Sequence, residues 1–199
     1  MKLISEKNSA EAVEFLRAGK IVAYPTETSY GFGCDATNPE AVNKIFAIKG
    51  REAGKPLLVV VADIEQIKPY IIWDERLENI NAKYWPGPLT VIVPVKIPSG
   101  LAVGVLSSDN CLAFRITSHP IARELVINLG KPLVSTSANK AGDPSLFSAQ
   151  DIVEKFSNEL AQPDVIIAGN LPIVPGSTII KLVPEGFLII RQGDIHFEL

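Results

Sequence analysis

Apolar and polar positions along this chain follow two periods, one helical and one extended, and break from both at a few polar clusters. In residues 9–18, Ala12, Val13 and Leu16 share one side of a helical pattern, and Gly19 supplies a stop. Residues 21–24 (IVAY) form a short unbroken apolar run, the pattern of a buried strand. Asn38-Pro39-Glu40 then combines a capping side chain, a proline at the first helical position and an acid near the positive helix end. The helix it starts carries Val42, Ile45, Phe46 and Ile48 and stops near Gly50.

Residues 57–62 (LLVVVA) predict a second buried strand, and residues 74–84 a helix ended by Trp85-Pro86-Gly87-Pro88. Strands follow at 89–95 and 111–116, with a Gly/Ser-rich loop over 98–109 between them. Pro120 opens a helix that Gly130 closes, and residues 132–137 (PLVSTS) predict one short strand. Ser148-Ala149-Gln150-Asp151 resembles a capping box ahead of Ile152, Val153 and Phe156. Strands at 165–168, 177–183 and 187–192 complete the chain. Helices and strands mix without strict alternation, which predicts an α/β protein: one twisted, mixed sheet flanked by helices, in a single domain over residues 1–199.

Composition narrows the function classes. With 199 residues, 47% of them hydrophobic and 21% charged, the chain can bury a sizeable core, and disordered and collagen-like classes are excluded. No apolar run approaches the roughly 20 residues that cross a bilayer. Charges are spread through the N-terminus, unlike a secretory signal. Cys34 and Cys111 lack CxxC spacing, and His119 and His196 are far apart, so neither a disulfide framework nor a metal held by the protein is expected. One histidine is expected at a helix start and the other in the tail. A cytoplasmic, reducing location is the expectation. The net charge of −3 counts against a general nucleic-acid coat protein, whose affinity rests on basic excess, but leaves a local basic patch open.

The polar clusters carry the candidate chemistry. AYPTETSYGFGCD, residues 23–35, places hydroxyls, one carboxylate and two glycines directly after an apolar strand. Gly31 to Ala36 satisfies the letters of GxGxxA, but six residues separate it from the strand and the next helix starts only near Pro39, so a dinucleotide fold is not supported. Residues 50–56 resemble a phosphate loop but are one residue short, with Pro56 where a magnesium-binding hydroxyl belongs. Lys49, Arg51 and Lys55 still concentrate three cations in an acidic chain. They either complement the negative end of the preceding helix or hold phosphate. Ser135-Thr136-Ser137-Ala138-Asn139 follows a strand end, where hydroxyls and an amide either bind ligand or cap a turn. Arg115, inside the apolar run CLAFRI, is either at an exposed edge or meets an anion in a cleft, and Arg191 in FLIIRQ repeats the pattern.

Taken in order, AYPTETSYGFGCD, Lys49-x-Arg51, KPLLVVV, WPGPLT, FRITSHP, KPLVSTSAN and PGSTII resemble the YrdC/TsaC family of threonylcarbamoyl-AMP synthases. The resemblance runs from about residue 20 to 192. It implies a twisted α/β sheet with a large concave cavity, similar to dihydroxybutanone phosphate synthase. The activity it implies converts L-threonine, bicarbonate and ATP to threonylcarbamoyl-adenylate and pyrophosphate, with Mg²⁺ on the ATP phosphates. The product would feed modification of adenosine 37 in tRNA through a separate transferase complex, and direct contact with tRNA is possible. By the same resemblance, Lys49, Arg51, Ser137 and Asn139 form the catalytic signature. Thr28, Arg115, Ser135 and Ser177 would bind threonine. Arg51, Lys55, Cys111, Ser137, Ser145 and Arg191 would bind ATP. Val60, Cys111, Ala141 and Phe147 depart from the family pattern. The rival functions are a non-catalytic module for tRNA or double-stranded RNA and a carbamoyl-transfer domain like that of hydrogenase maturation factors.

Overall fold

The computed structural model describes residues 1–51 and 56–198. Its strands are β1 (Lys2–Ile4), β2 (Val22–Pro25), β3 (Tyr30–Gly33), β4 (Val59–Val61), β5 (Leu89–Pro94) and β6 (Cys111–Ile116). Then come β7 (Leu133–Val134), β8 (Thr136–Ser137), β9 (Val165–Ile167), β10 (Thr178–Val183) and β11 (Gly186–Arg191). The helices are α1 (Glu11–Arg17), α2 (Pro39–Lys49), α3 (Ile64–Ile67), α4 (Arg76–Tyr84), α5 (Pro120–Leu129) and α6 (Ala149–Phe156).

The helix signals act as their chemistry predicts. The Asn38 side chain accepts from the Ala41 amide at 3.0 Å, and Gly50 ends α2 in the left-handed region at φ 59°. Ser148 accepts from the Asp151 amide at 3.0 Å and starts α6. His119 stands at the N-cap position of α5 without a side-chain capping bond, and His196 is exposed in the tail.

The expected single sheet is corrected to two mixed sheets. One has the order β1-β9-β2-β3-β8 and the other β11-β10-β5-β6-β4-β7. The expected strand over 132–137 is divided between them: β7 pairs antiparallel with β4, and β8 pairs antiparallel with β3. Ser135 is the residue between, its amide donating to the Leu58 carbonyl at 2.9 Å. Residues 30–33, not expected to be extended, pair with β2 as a hairpin from Val22 opposite Gly33 to Pro25 opposite Tyr30.

Strand alternation sorts the apolar residues into two cores. Ala23 and Phe32 join α2, α6 and the inner face of the second sheet, Val59, Val61, Val91, Val93 and Phe114 among them. Val22, Tyr24 and Val60 face the other way, against α1 and α5. Burial on both faces explains why β4 is written Val-Val-Val without a polar position.

Candidate functional site

A cavity of about 450 Å³ lies where the two sheets meet, within the roughly 300–1,000 Å³ of small-molecule sites. Alternation along the second sheet builds one wall. Leu112, Phe114 and Ile116 of β6 enter the core, so Ala113 and Arg115 face the cavity. Leu89, Val91 and Val93 of β5 do likewise and leave Thr90 and Ile92 in the wall; Ile180 of β10 leaves Ile179. The opposing wall comes from the β2–β3 loop and from the segment spanning β7 and β8. Two glycines let these pieces approach. A Cβ on Gly31 would stand 3.2 Å from Ser135 Oγ, and one on Gly33 only 2.5 Å from Tyr24 Cε1 and 3.0 Å from the Val134 carbonyl.

Arginines dominate the electrostatics of the lining. Arg115 is buried, with 3% exposure, which settles its place in the apolar strand: it faces a cleft and is not at an edge. Its Nη2 donates to Thr28 Oγ1 at a long 3.4 Å, and Thr28 Oγ1 lies 3.1 Å from Thr26 Oγ1. Arg191 donates from Nε and Nη2 to the Ser177 carbonyl at 3.1 and 2.6 Å. Its Nη2 also reaches Ser177 Oγ at 3.3 Å, and that hydroxyl accepts from Thr90 at 2.9 Å. Burial lowers the pKa of Arg191, and the Arg115 charge lowers it further. Burial likewise lowers that of Arg51, whose Nε has no hydrogen-bond partner among the described residues. Cations held close together with donors unspent are stabilised when an anion joins them.

Lys49 and Asn139 are not in the lining; they brace it from beneath. Lys49 is 3% exposed, and its Nζ donates to the carbonyls of Ser137 and Asn139 at 2.6 and 3.1 Å and to Asn139 Oδ1 at 2.8 Å. Asn139 Oδ1 also accepts from Ser137 Oγ at 2.7 Å, while its Nδ2 donates to the Asp143 carbonyl at 2.5 Å. The Ala141 amide closes the loop onto the Lys49 carbonyl at 2.8 Å. Lys49 of the Lys-x-Arg element and both residues of the Ser-x-Asn element are thus one network joining the end of α2 to the loop after β8.

Of the expected site residues, Thr28, Arg115, Ser135 and Ser177 share this cavity with Arg51, Ser137, Ser145 and Arg191. Cys111 does not line it. It lies beyond Ala113 on β6, opposite Pro94, with its Sγ 3.7 Å from the Asp109 carbonyl, and burial raises the thiol pKa. Lys55 lies outside the described residues. Of the positions that depart from the family pattern, Phe147 is in the lining and Val60 is in the core under α5. Sequence reasoning missed Thr26 and Thr90 in the lining; a lone threonine in the apolar run LTVIV was the available signal for the second. Among the described residues, no cluster of His, Cys, Asp and Glu is placed to hold a metal, and no helix is long and apolar enough to cross a membrane.

The class these features define is an α/β protein with a cationic, hydroxyl-lined cavity between two mixed sheets. The family described as telomere recombination (Sua5/YciO/YrdC) matches residues 14–193, and the chain belongs to it. It is 36% identical to a threonylcarbamoyl-AMP synthase of Vibrio campbellii over 77% of this chain and 84% of that protein. It is 34% identical to the threonylcarbamoyl-AMP synthase of Bacillus subtilis over 95% of this chain, spanning 54% of that relative. The crystal structure of P. abyssi Sua5 complexed with L-threonine superposes with a TM-score of 0.85 at 33% identity, covering 97% of this chain and 58% of that one. The chain therefore spans little more than half the length of its longer relatives.

Proposed function

We propose that the protein is an L-threonylcarbamoyladenylate synthase, a nucleotidyltransferase that uses L-threonine, bicarbonate and ATP. The observation that carries this reading is the convergence of Arg51, Arg115 and Arg191 with the hydroxyls of Thr28, Ser137 and Ser177 on one cavity. The threonine amine and bicarbonate combine to a carbamate with loss of water. A carbamate oxygen then attacks the α-phosphorus of ATP, and pyrophosphate leaves. No bond to the protein forms, so the task is to orient anions and to stabilise charge on the phosphoryl oxygens. Arg115 with Thr28 suits the threonine carboxylate, while Arg51 and Arg191 suit the phosphates. Lys55 belongs with them by family position.

Mg²⁺ prefers phosphate and carboxylate oxygens. The described lining supplies hydroxyls and cations and no carboxylate, so the ion fits as part of the nucleotide, on its phosphates. A separate transferase would then carry the threonylcarbamoyl group to adenosine 37 of tRNA. The test is pyrophosphate release from ATP, with threonine and bicarbonate omitted in turn. Release that requires both is the expected result. Release without threonine, or salt-sensitive RNA binding with no turnover, overturns the reading.

A further inference from the structure

We infer that Glu27 is a positioning residue for the amino acid: it is the buried counter-charge on which the Arg115 guanidinium turns to take a carboxylate. The inference rests on the synthase reading and goes beyond it, since Glu27 is not in the cavity lining and would touch no substrate.

Glu27 sits in the loop between β2 and β3, flanked by Thr26 and Thr28, both of which line the cavity. Its side chain is 9% exposed and that of Arg115 3%, so water solvates neither charge well. Glu27 Oε2 accepts from Thr117 Oγ1 at 2.7 Å. Thr117 is itself fixed: its amide donates to the Val61 carbonyl at 3.1 Å, and its hydroxyl accepts from the His119 amide at 3.3 Å. The carboxylate is therefore anchored through one oxygen to the junction of β6 and α5.

The other oxygen is where the site is unfinished. Glu27 Oε1 lies 2.9 Å from Arg115 Nε, close enough for an ion pair, yet the N–H does not point at it. Both atoms are buried with no hydrogen-bond partner. The one side-chain hydrogen bond Arg115 makes among the described residues is the long one to Thr28. A buried guanidinium with nearly all its donors unspent is costly unless a further partner arrives. A small rotation that aims Nε–H at Glu27 Oε1 would finish the pair. It would also present the two Nη groups as a fork, the geometry that grips a carboxylate through two parallel hydrogen bonds. Site hydrogen bonds that are misaligned without substrate and tighten with it are the usual behaviour. Glu27 thus determines the orientation of the fork, and Thr117 determines the orientation of Glu27.

The test uses Glu27→Gln, which keeps the shape and removes the charge, and Thr117→Val, which removes the anchor. Each is followed by threonine-dependent pyrophosphate release and by calorimetric titration with L-threonine and, separately, ATP. Glu27→Gln is expected to weaken threonine, in KM and in Kd, by about tenfold to a hundredfold, the scale of one charge-assisted hydrogen bond. ATP affinity is expected to stay within about twofold. Thr117→Val is expected to give a smaller loss, also confined to threonine. In an Arg115→Ala background, Glu27→Gln is expected to cost nothing further, because it acts through the missing arginine.

Unchanged threonine affinity in Glu27→Gln overturns the inference, and so does equal weakening of ATP accompanied by a lowered melting temperature. If Glu27→Gln does not fold, Thr117→Val decides alone: a loss confined to threonine supports the inference, and none overturns it. Binding separates the two claims. Threonine binding that depends on Glu27 in a protein that releases no pyrophosphate leaves the inference standing and removes the synthase reading. Normal turnover in Glu27→Gln does the reverse. A wild-type protein that binds no threonine overturns both.

Discussion

Burial pulls the Lys49 ammonium from its ordinary value down to about 8, and the Arg51 charge adds to the effect. Below that pH the ammonium has three protons, and the structure offers three acceptors, two carbonyls and Asn139 Oδ1. As pH rises through about 8 one proton is lost, and with it one tie to the loop that carries Ser137. Activity is therefore expected to fall on an alkaline limb centred near pH 8, which Lys49→Met should remove along with most of the activity. Stability moves the other way. The unfolded chain keeps its lysine proton to about 10.5 while the folded one releases it near 8, so the unfolded state binds more protons in that window. The penalty for burying the charge, on the order of 3 kcal/mol, is present in full below pH 8 and relieved toward 10.5. Denaturant midpoints against pH for wild type and Lys49→Met check the sign: the Lys49-dependent part should rise between these values. At this scale the sequence was informative about type and poor about depth. Lys49 and Asn139 stand out as signature residues, but nothing in their spacing says that they support the wall from behind.

Helices were more legible than strands, for a physical reason. Their punctuation is local: Asn38, Gly50 and Ser148 act on amides and turns within four residues of themselves. Strands are defined by partners far along the chain. Gly31 and Gly33 depress strand propensity, so β3 escapes notice until Tyr24 and the Val134 carbonyl are seen pressed against its missing side chain. The same contact makes a prediction. Gly33→Ala would overpack the space beside Tyr24 and is expected to cost about 1–3 kcal/mol. Thermal or urea unfolding would register the loss; an unaltered midpoint would show that the hairpin is looser than its distances imply. The boundary between β7 and β8 was illegible for a related reason. PLVSTS carries no glycine or proline at position 135 to mark a break, and only the competing edges of β4 and β3 divide it.

For the whole molecule, the cavity is shared: one wall and Arg115 belong to the second sheet, while the loop after β2 and the strand β8 belong to the first. A ligand spanning both adds stability by mass action, RT ln(1 + [L]/Kd), about 3 kcal/mol at a hundredfold excess over Kd. ATP and L-threonine are each expected to raise the melting temperature. Arg51→Ala should abolish the shift from ATP and keep that from threonine, and Arg115→Ala the reverse. Equal losses in both variants would mean that the two arginines serve one ligand. The fold class and the gathering of Arg51, Arg115, Ser137 and Arg191 were legible from residues and resemblance together. That two sheets and not one make the hollow was not, because no local pattern records which sheet a short strand will join.

The residue between β7 and β8 is a seam. One peptide stretch crosses from one half of the scaffold to the other at Ser135, and the hydroxyls at the crossing and just after it, those of Ser135, Thr136 and Ser137, are ones the ligand would meet. A flexible insert at that point would let both halves keep their own cores yet leave the reactive centre without a common frame. Attempts to split, permute or splice this scaffold should therefore place their junctions anywhere but there.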